Sequence, residues 1–457
     1  MQKKSQVTAS LKEQRDLLVR LLMIAQEREL DLKEVMKYPL SSMPYALATF
    51  DGSMVKTTKA ALLHEVEKSS QDQLGYRHAD FNANKVVIVD AMVLIQQQSQ
   101  FPETFGEFAS SILRQLISIS RKYKAKRVDF VADRYKDMSI KDAERQKRAV
   151  QGETKFRINR SDQKMPKLMK KFLASGNNKE GLLTFLVDEW KSTSPQYFCD
   201  VTLYATKGDT CVKFSKGTDG NLLVENAPEL QSDHEEADTR MLLHVFQASQ
   251  STPAPLDIIL CTVDTDVFVI ALWMSTVVTA RLILFLMTGN RSRQLDLQAM
   301  SSTMKEQTTE ALVGLHPFTG CDSVSAFKGK GKIKALKLML NSPQYITTFC
   351  ELGKSWELRP NLRKDLEKFV CDLYGWKDET DINTVRYNCY RVGTVTDLTL
   401  PPNCDSLSLH MERANYQAKI FRSCQQQYIN PPDPSAHGWK VNASKLEILW
   451  NTLPIAP

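Results

Sequence analysis

Short apolar runs that stop at a carboxylate recur along this chain, and they limit its fold more than any other feature. Val86-Val87-Ile88-Val89 ends at Asp90, Val128 to Val131 is followed by Asp133, and Ile258-Ile259-Leu260 leads to Asp264-Thr265-Asp266. Runs this short read as buried strands. Between them, Thr104 to Tyr123 sets Phe105, Phe108, Ile112, Leu116 and Ile119 on one face of a helix. Leu182 to Trp190 reads as another helix, stopped by Ser192–Pro195, and Leu282–Leu286 as a further strand. This alternation predicts an α/β fold: a mainly parallel sheet flanked by helices. Val201–Ala205, Cys211–Phe214 and Leu222–Val224, separated by turns at Lys207-Gly208-Asp209 and Thr218-Asp219-Gly220, predict a small antiparallel addition.

Outside this core the patterns differ. Residues 1–84 read as mainly helical, with Leu11, Leu17, Leu18, Leu21, Leu22 and Ile24 at roughly helical spacing and a second helix over Thr57–Lys68. Residues 346–457 read as helical and loop-rich, broken at Pro401-Pro402 and Pro431–Pro434. The net charge of +7 is unevenly spread: Arg121 to Lys171 holds 18 Lys/Arg against 7 Asp/Glu, so the rest of the chain is slightly acidic. A basic stretch of that kind suits a polyanion; the plainer reading is a solvated helical face. Nine cysteines stand singly with no CxxC pair, which predicts a reducing compartment and no disulfide framework or zinc module. The polar start and the charges within every apolar stretch predict neither a signal peptide nor a membrane span.

Seven acids carry the candidate chemistry: Asp90, Asp133, Glu236, Asp238, Asp264, Asp266 and Asp322. In open α/β sheets ligands bind beyond the carboxyl ends of the strands, where Asp90, Asp133, Asp264 and Asp266 are expected. The spacing of Asp264 and Asp266 puts both on one face of a strand, and both can still point inward from the loop after it. Glu236 and Asp238 are expected near the start of a helix beginning around Ser232-Asp233, where the dipole favours anions. Converging carboxylates force one another to keep protons unless cations join them. Oxygen ligands suit Mg²⁺ or Mn²⁺, and two such ions about 4 Å apart can activate water for phosphodiester hydrolysis. Singly, each acid is weak evidence, because an Asp at a strand end is usually a turn former or a helix cap.

Two basic features accompany the acids. Lys141, Arg145 and Arg148 are expected on one side of a helix over Ile140–Val150, able to grip a phosphate. Phe327 to Ala335 contains Lys328, Gly329, Lys330, Gly331 and Lys332, a run whose glycines allow close backbone approach and whose lysines supply charge. Leu336, Leu338 and Leu340 continue it into a helix. Other candidates have plainer readings. His234, His244 and His316 fit no standard zinc spacing, Cys321 reads as a buried thiol, and Tyr387, Tyr390, His410, His437 and the late tryptophans read as core rather than a base-stacking surface.

Taken together, these residues resemble the 5′ nuclease superfamily, the flap endonuclease-like proteins with a PIN-like core. Val89-Asp90-Ala91 resembles the first metal-binding Asp motif, with Ala91 where Gly is common. Asp133 with Lys141 and Arg148 resembles the second acid and its phosphate-gripping helix. Glu236-Ala237-Asp238 is similar to the Glu-x-Glu motif, Asp264-Thr265-Asp266 to the Asp-x-Asp motif, and Asp322 to the last acid. Phe327–Ala335 resembles a helix–two-turn–helix that holds duplex DNA, often with a monovalent cation. The phrase Leu315-His316-Pro317-Phe318-Thr319-Gly320-Cys321-Asp322 is similar to one in a group of largely uncharacterised animal proteins.

The resemblance implies a PIN-like nuclease core over 85–345, with 151–190 at the place of the family's helical arch and 320–340 as the duplex-holding element. It also implies two Mg²⁺ or Mn²⁺ ions and a DNA partner; with the reducing compartment and no membrane expected from the residues, the expected location is intracellular, the nucleus favoured over the cytoplasm. A structure-selective nuclease is the reading this favours. A catalytically silent nucleic-acid-binding or scaffold protein, and a ribonuclease of the same fold, stay open.

Overall fold

The computed structural model describes residues 23, 31–74, 81–135, 139–141, 156–288, 291–392, 399–442 and 445–456. Their contacts divide them into two compact units. One comprises Val66–Thr309 with Ile420–Pro431; the other comprises the described parts of Met1–Glu65, Glu310–Lys419 and Pro432–Pro457. The expected helix over the first leucines and the helix over Ile140–Val150 fall largely outside the described residues.

The first of these units is built on an eight-stranded sheet. Its strands are β1 (Asn84–Asp90), β2 (Arg127–Val131), β3 (Thr202–Lys207), β4 (Thr210–Lys216), β5 (Leu222–Asn226), β6 (Leu256–Thr262), β7 (Arg281–Thr288) and β8 (Arg291–Asp296), in the order β5-β4-β3-β2-β1-β6-β7-β8. The five central strands, β3-β2-β1-β6-β7, are parallel, and β4, β5 and β8 add antiparallel edges. The expected α/β class and the antiparallel addition are both present. The addition extends the main sheet through β3, which pairs in parallel with β2. Polar β8 was not expected as a strand.

Helices cover both faces. In chain order they are α1 (Ala91–Gln96), α2 (Phe105–Tyr123), α3 (Gly176–Trp190), α4 (Ala237–Ser251) and α5 (Thr265–Met274). Strand residues alternate between faces. Val87, Val89, Val128, Phe130, Leu203 and Ile259 join α2 and α3 in one buried cluster. Thr104 starts α2 with a full capping box to Glu107, a device worth about 1 kcal/mol. Asp129, out of phase with Val128 and Phe130, serves the opposite face: its carboxylate accepts from Arg127 in a bidentate pair and lies 2.8 Å from His244 Nδ1 on α4.

Strand order fixes the place of the site. The chain steps outward from β1 to β2 and β3, then returns to the other side of β1 with β6 and β7. The direction of winding therefore reverses at β1, which leaves a crevice at the carboxyl ends of β2, β1 and β6.

The other unit is mainly helical, including most of α6 (Glu306–Phe318), α7 (Lys332–Leu340), α8 (Pro360–Tyr374) and most of α9 (Cys404–Arg422). Phe318 anchors its core, with ring centroids 5.6 Å from Phe327, 5.5 Å from Phe349 and 5.3 Å from His410. His410 and Trp439 are buried, as the core reading of the late aromatics expected. The hairpin of β9 (Trp439–Asn442) and β10 (Lys445–Ile448) was not expected. Residues 46–55 fold onto the segment before α7: Ala326 N donates to Val55 O at 2.9 Å and Lys328 N to Ala46 O at 2.8 Å. Gly320 (φ +108°) turns the chain out of α6, where a Cβ would come within 2.8 Å of Ala326 Cβ.

Candidate metal centre

Six of the seven acids lie in the sheet-bearing unit, at strand ends and helix starts beside the crevice. Asp90 ends β1 and caps α1: its Oδ1 accepts from Met92 N at 2.9 Å and Val93 N at 3.1 Å. Asp133 lies just past β2. Its Oδ1 accepts from Ala237 N at 2.8 Å, and Tyr135 Oη donates to its Oδ2 at 3.2 Å. Asp264 caps α5, accepting from Asp266 N at 2.9 Å, with Asp266 in the first turn. Glu236 and Asp238 flank the start of α4. Three helix N-termini thus bring partial positive charge to the acids.

Two details differ from the expected local structure. The helix carrying Glu236 and Asp238 begins at Ala237, not near Ser232-Asp233. The earlier amides are engaged elsewhere: Ser232 N donates to Asp209 O and Asp233 N to Gln427 O. Glu236 occupies the cap position without a side-chain capping bond to the helix, and Asp133, distant in sequence, supplies the carboxylate at that end. Asp264 and Asp266 approach one another through a helix start rather than a strand.

Among the described residues, one group of three or more His, Cys, Asp or Glu side chains meets the spacing of a metal site. It consists of Asp238, Asp264 and Asp266, each offering an oxygen within 4.8 Å of the others. Burial, followed by repulsion from Asp133 and Asp264, pushes the Asp90 carboxyl up to about 7, against the pull of the Val93 and Met92 amides. Burial also pushes Glu236 up to about 7 despite the Lys141 ammonium. Asp238 is raised well above the usual range by burial and then by Asp264, with Glu236 and Asp266 adding to the repulsion. An all-oxygen donor set under this strain fits a hard divalent cation, whose charge would remove the repulsion.

Lys141 reaches the same place. Its Nζ lies 2.5 Å from Glu236 Oε2 and 3.8 Å from Asp238 Oδ2. Arg145 and Arg148 lie outside the described residues. Residues not singled out from sequence complete the surroundings. Buried Thr262 bonds Asp90 and the backbone of Asp264. Arg240 donates to Gly208 O at 2.7 Å and Thr210 O at 3.0 Å, tying the β3–β4 turn to α4. Thr262 stands two residues before Asp264, the one sequence cue to its place.

The remaining expected residues belong to the helical unit. Asp322 Oδ1 is 2.8 Å from Lys59 Nζ. Gly329 has φ +72° and open space where a Cβ would be, and Gly331 caps α7. Lys328 is half-buried. Lys330 Nζ sits 4.4 Å from the Tyr374 ring centroid, its pKa lowered by burial and by Lys334. Lys332 does not offer its charge outward. It is buried, with Nζ donating to His316 O at 2.6 Å and Thr319 Oγ1 at 2.9 Å, so its ammonium serves the C-terminal end of α6. His234, His244 and His316 are also buried, outside the acid group, and Cys321 is a buried thiol.

No protein-family model and no curated protein matches this chain. Among solved structures it is similar to a flap endonuclease, D15 of bacteriophage T5, in a variant crystallised as a pseudo-enzyme-product complex with DNA and metal ions. The TM-score is 0.35 and the identity 13%, over 75% of this chain and 100% of that one. A likeness that slight carries no weight for what this chain does. No helix among the described residues is long and apolar enough to cross a membrane.

Proposed function

We propose that this chain is a divalent-metal-dependent, structure-selective nuclease that hydrolyses phosphodiester bonds in DNA. One observation carries the reading: six carboxylates gathered beside the switch-point crevice, three with oxygens within 4.8 Å of one another. Asp238, Asp264 and Asp266 would hold Mg²⁺ or Mn²⁺, with Asp90, Asp133 and Glu236 bonding directly or through water. Bound there, two such ions would supply a water of lowered pKa and neutralise charge at the scissile phosphate.

The chain's own groups do the rest. Asp133 holds the start of α4 and so fixes Asp238 relative to β2. Lys141, now paired with Glu236, is placed to turn to the phosphate when a cation takes over that carboxylate, with Arg145 and Arg148 expected beside it. Lys328, Gly329, Lys330 and Gly331 would follow the duplex backbone, with room for a monovalent cation at the same turn. Asp322, beside Lys59 in the helical unit, is proposed as a further metal-binding acid. A DNA substrate goes with an intracellular, nuclear place of action.

The test is cleavage of labelled flap, single-stranded and duplex DNA with Mn²⁺, Mg²⁺ or EDTA, using the full chain and Asp264→Ala. Metal-dependent products, lost in the variant, are expected. Equal cleavage by a folded Asp264→Ala chain would overturn the reading. Lys141 favours a second one: it already brings a cation to Glu236 and Asp238, as a catalytically silent DNA-binding protein would require. DNA binding without products supports that alternative, and cleavage of RNA alone makes the chain a ribonuclease.

A further inference from the structure

Thr262 is the last residue of β6 and is fully buried. In the parallel pairing of β1 with β6, Val89 stands opposite Cys261, so Thr262 falls opposite Asp90. Its hydroxyl makes two bonds of opposite sense. Oγ1 donates to Asp90 Oδ2 at 3.2 Å and accepts from Asp264 N at 3.2 Å. The amide can only donate, so Oγ1 accepts from Asp264 N and keeps its single proton for the ionised Asp90 carboxylate, the form that a cation would favour. One side chain therefore joins the carboxylate ending β1 to the backbone turn from which Asp264 enters the acid group. Its branched Cβ restricts χ1 and limits the ways both bonds can be made.

We infer that Thr262 is a positioning residue which sets Asp90 and Asp264 at the spacing a divalent cation needs. The inference rests on the metal-centre reading above and adds to it a residue that holds the ligands without touching the ion. Hydroxyl–carboxylate contacts of this kind commonly change metal affinity by about 10–100-fold when removed. Valine keeps the shape of threonine and loses the hydroxyl; serine keeps the hydroxyl and loses the methyl.

The experiment is a Mn²⁺ titration of the full chain by calorimetry and electron paramagnetic resonance, for the parent protein, Thr262→Val, Thr262→Ser and Asp264→Ala. Circular dichroism is recorded to confirm folding. The expected result is Mn²⁺ binding by the parent, weakened about 10–100-fold in Thr262→Val and restored in Thr262→Ser. Parent-like affinity in Thr262→Val overturns the inference while leaving the metal centre standing. Equal weakening in the valine and serine variants also overturns it, since the methyl would then be what matters. No Mn²⁺ binding by the folded parent overturns the metal centre, and the inference with it. Should Thr262→Val not fold, Thr262→Cys replaces it: the thiol is a poor hydrogen-bond partner of similar size, and serine-like affinity in it would again overturn the inference.

Discussion

Asp90 and Glu236 keep their protons to about pH 7 in the folded chain without a cation. In an unfolded chain such groups ionise near pH 4. Folding therefore takes up protons between those values, and the stability of the metal-free protein falls as pH rises through that window. Melting in EDTA should show a lower Tm at pH 7.5 than at pH 5, and Mn²⁺ should close the gap; a Tm that rises with pH in EDTA would contradict this. The same repulsion predicts that Asp238→Asn raises the Tm in EDTA at pH 7.5, by about 1–2 °C for each kcal/mol relieved in a chain of this size, while it weakens Mn²⁺ binding in titration. At this scale the acids were legible in the sequence, because a carboxylate after a buried strand is conspicuous. The inward turn of Lys332 was not. A lysine beside glycines looks solvated until its bonds to His316 O and Thr319 Oγ1 are seen.

Among the elements, α4 depends most on distant residues. Its face toward the sheet meets the Arg127–Asp129–His244 cluster, in which Asp129 is wholly buried and its pKa lowered by Arg127 and His244 against the cost of burial. Removing one member leaves an uncompensated charge. Asp129→Ala should therefore destabilise the protein by about 3–5 kcal/mol in urea unfolding, whereas Thr104→Ala at the exposed start of α2 should cost about 1 kcal/mol. Equal losses would mean that the cluster does not secure α4. The strands β1, β2 and β6 could be read from apolar runs because that signal is local. The start of α4 could not, since the amides of Ser232 and Asp233 are fixed by Asp209 and by Gln427, the latter nearly two hundred residues away. The strand β8 was missed for a related reason: Arg291-Ser292-Arg293-Gln294 shows no apolar run, and its pairing with β7 makes it a strand.

For the whole molecule, the division into two units shows how far long-range contacts govern the chain. Residues 46–55 carry no evident chemistry in sequence, yet their carbonyls bind the amides of Ala326 and Lys328 before the Gly/Lys run. Deleting residues 31–56 should expose those amides, and hydrogen exchange at 326–330 should quicken strongly relative to residues of β1 and β6. Unchanged protection would show that the N-terminal segment is dispensable there. No local periodicity could have revealed that pairing.

The latch on the segment before α4 has a consequence for synthesis. Asp233 accepts from Ile429 N and Asn430 N, while Gln427 Nε2 donates to Pro228 O and Gln231 O. Ile420–Pro431 leaves the ribosome long after the strands it helps to secure. A nascent chain halted before residue 420 can form β1, β2 and β6 and still lack the clasp that fixes the approach to Glu236 and Asp238. The acid group would then be completed last, so a partly made chain would lack its final arrangement.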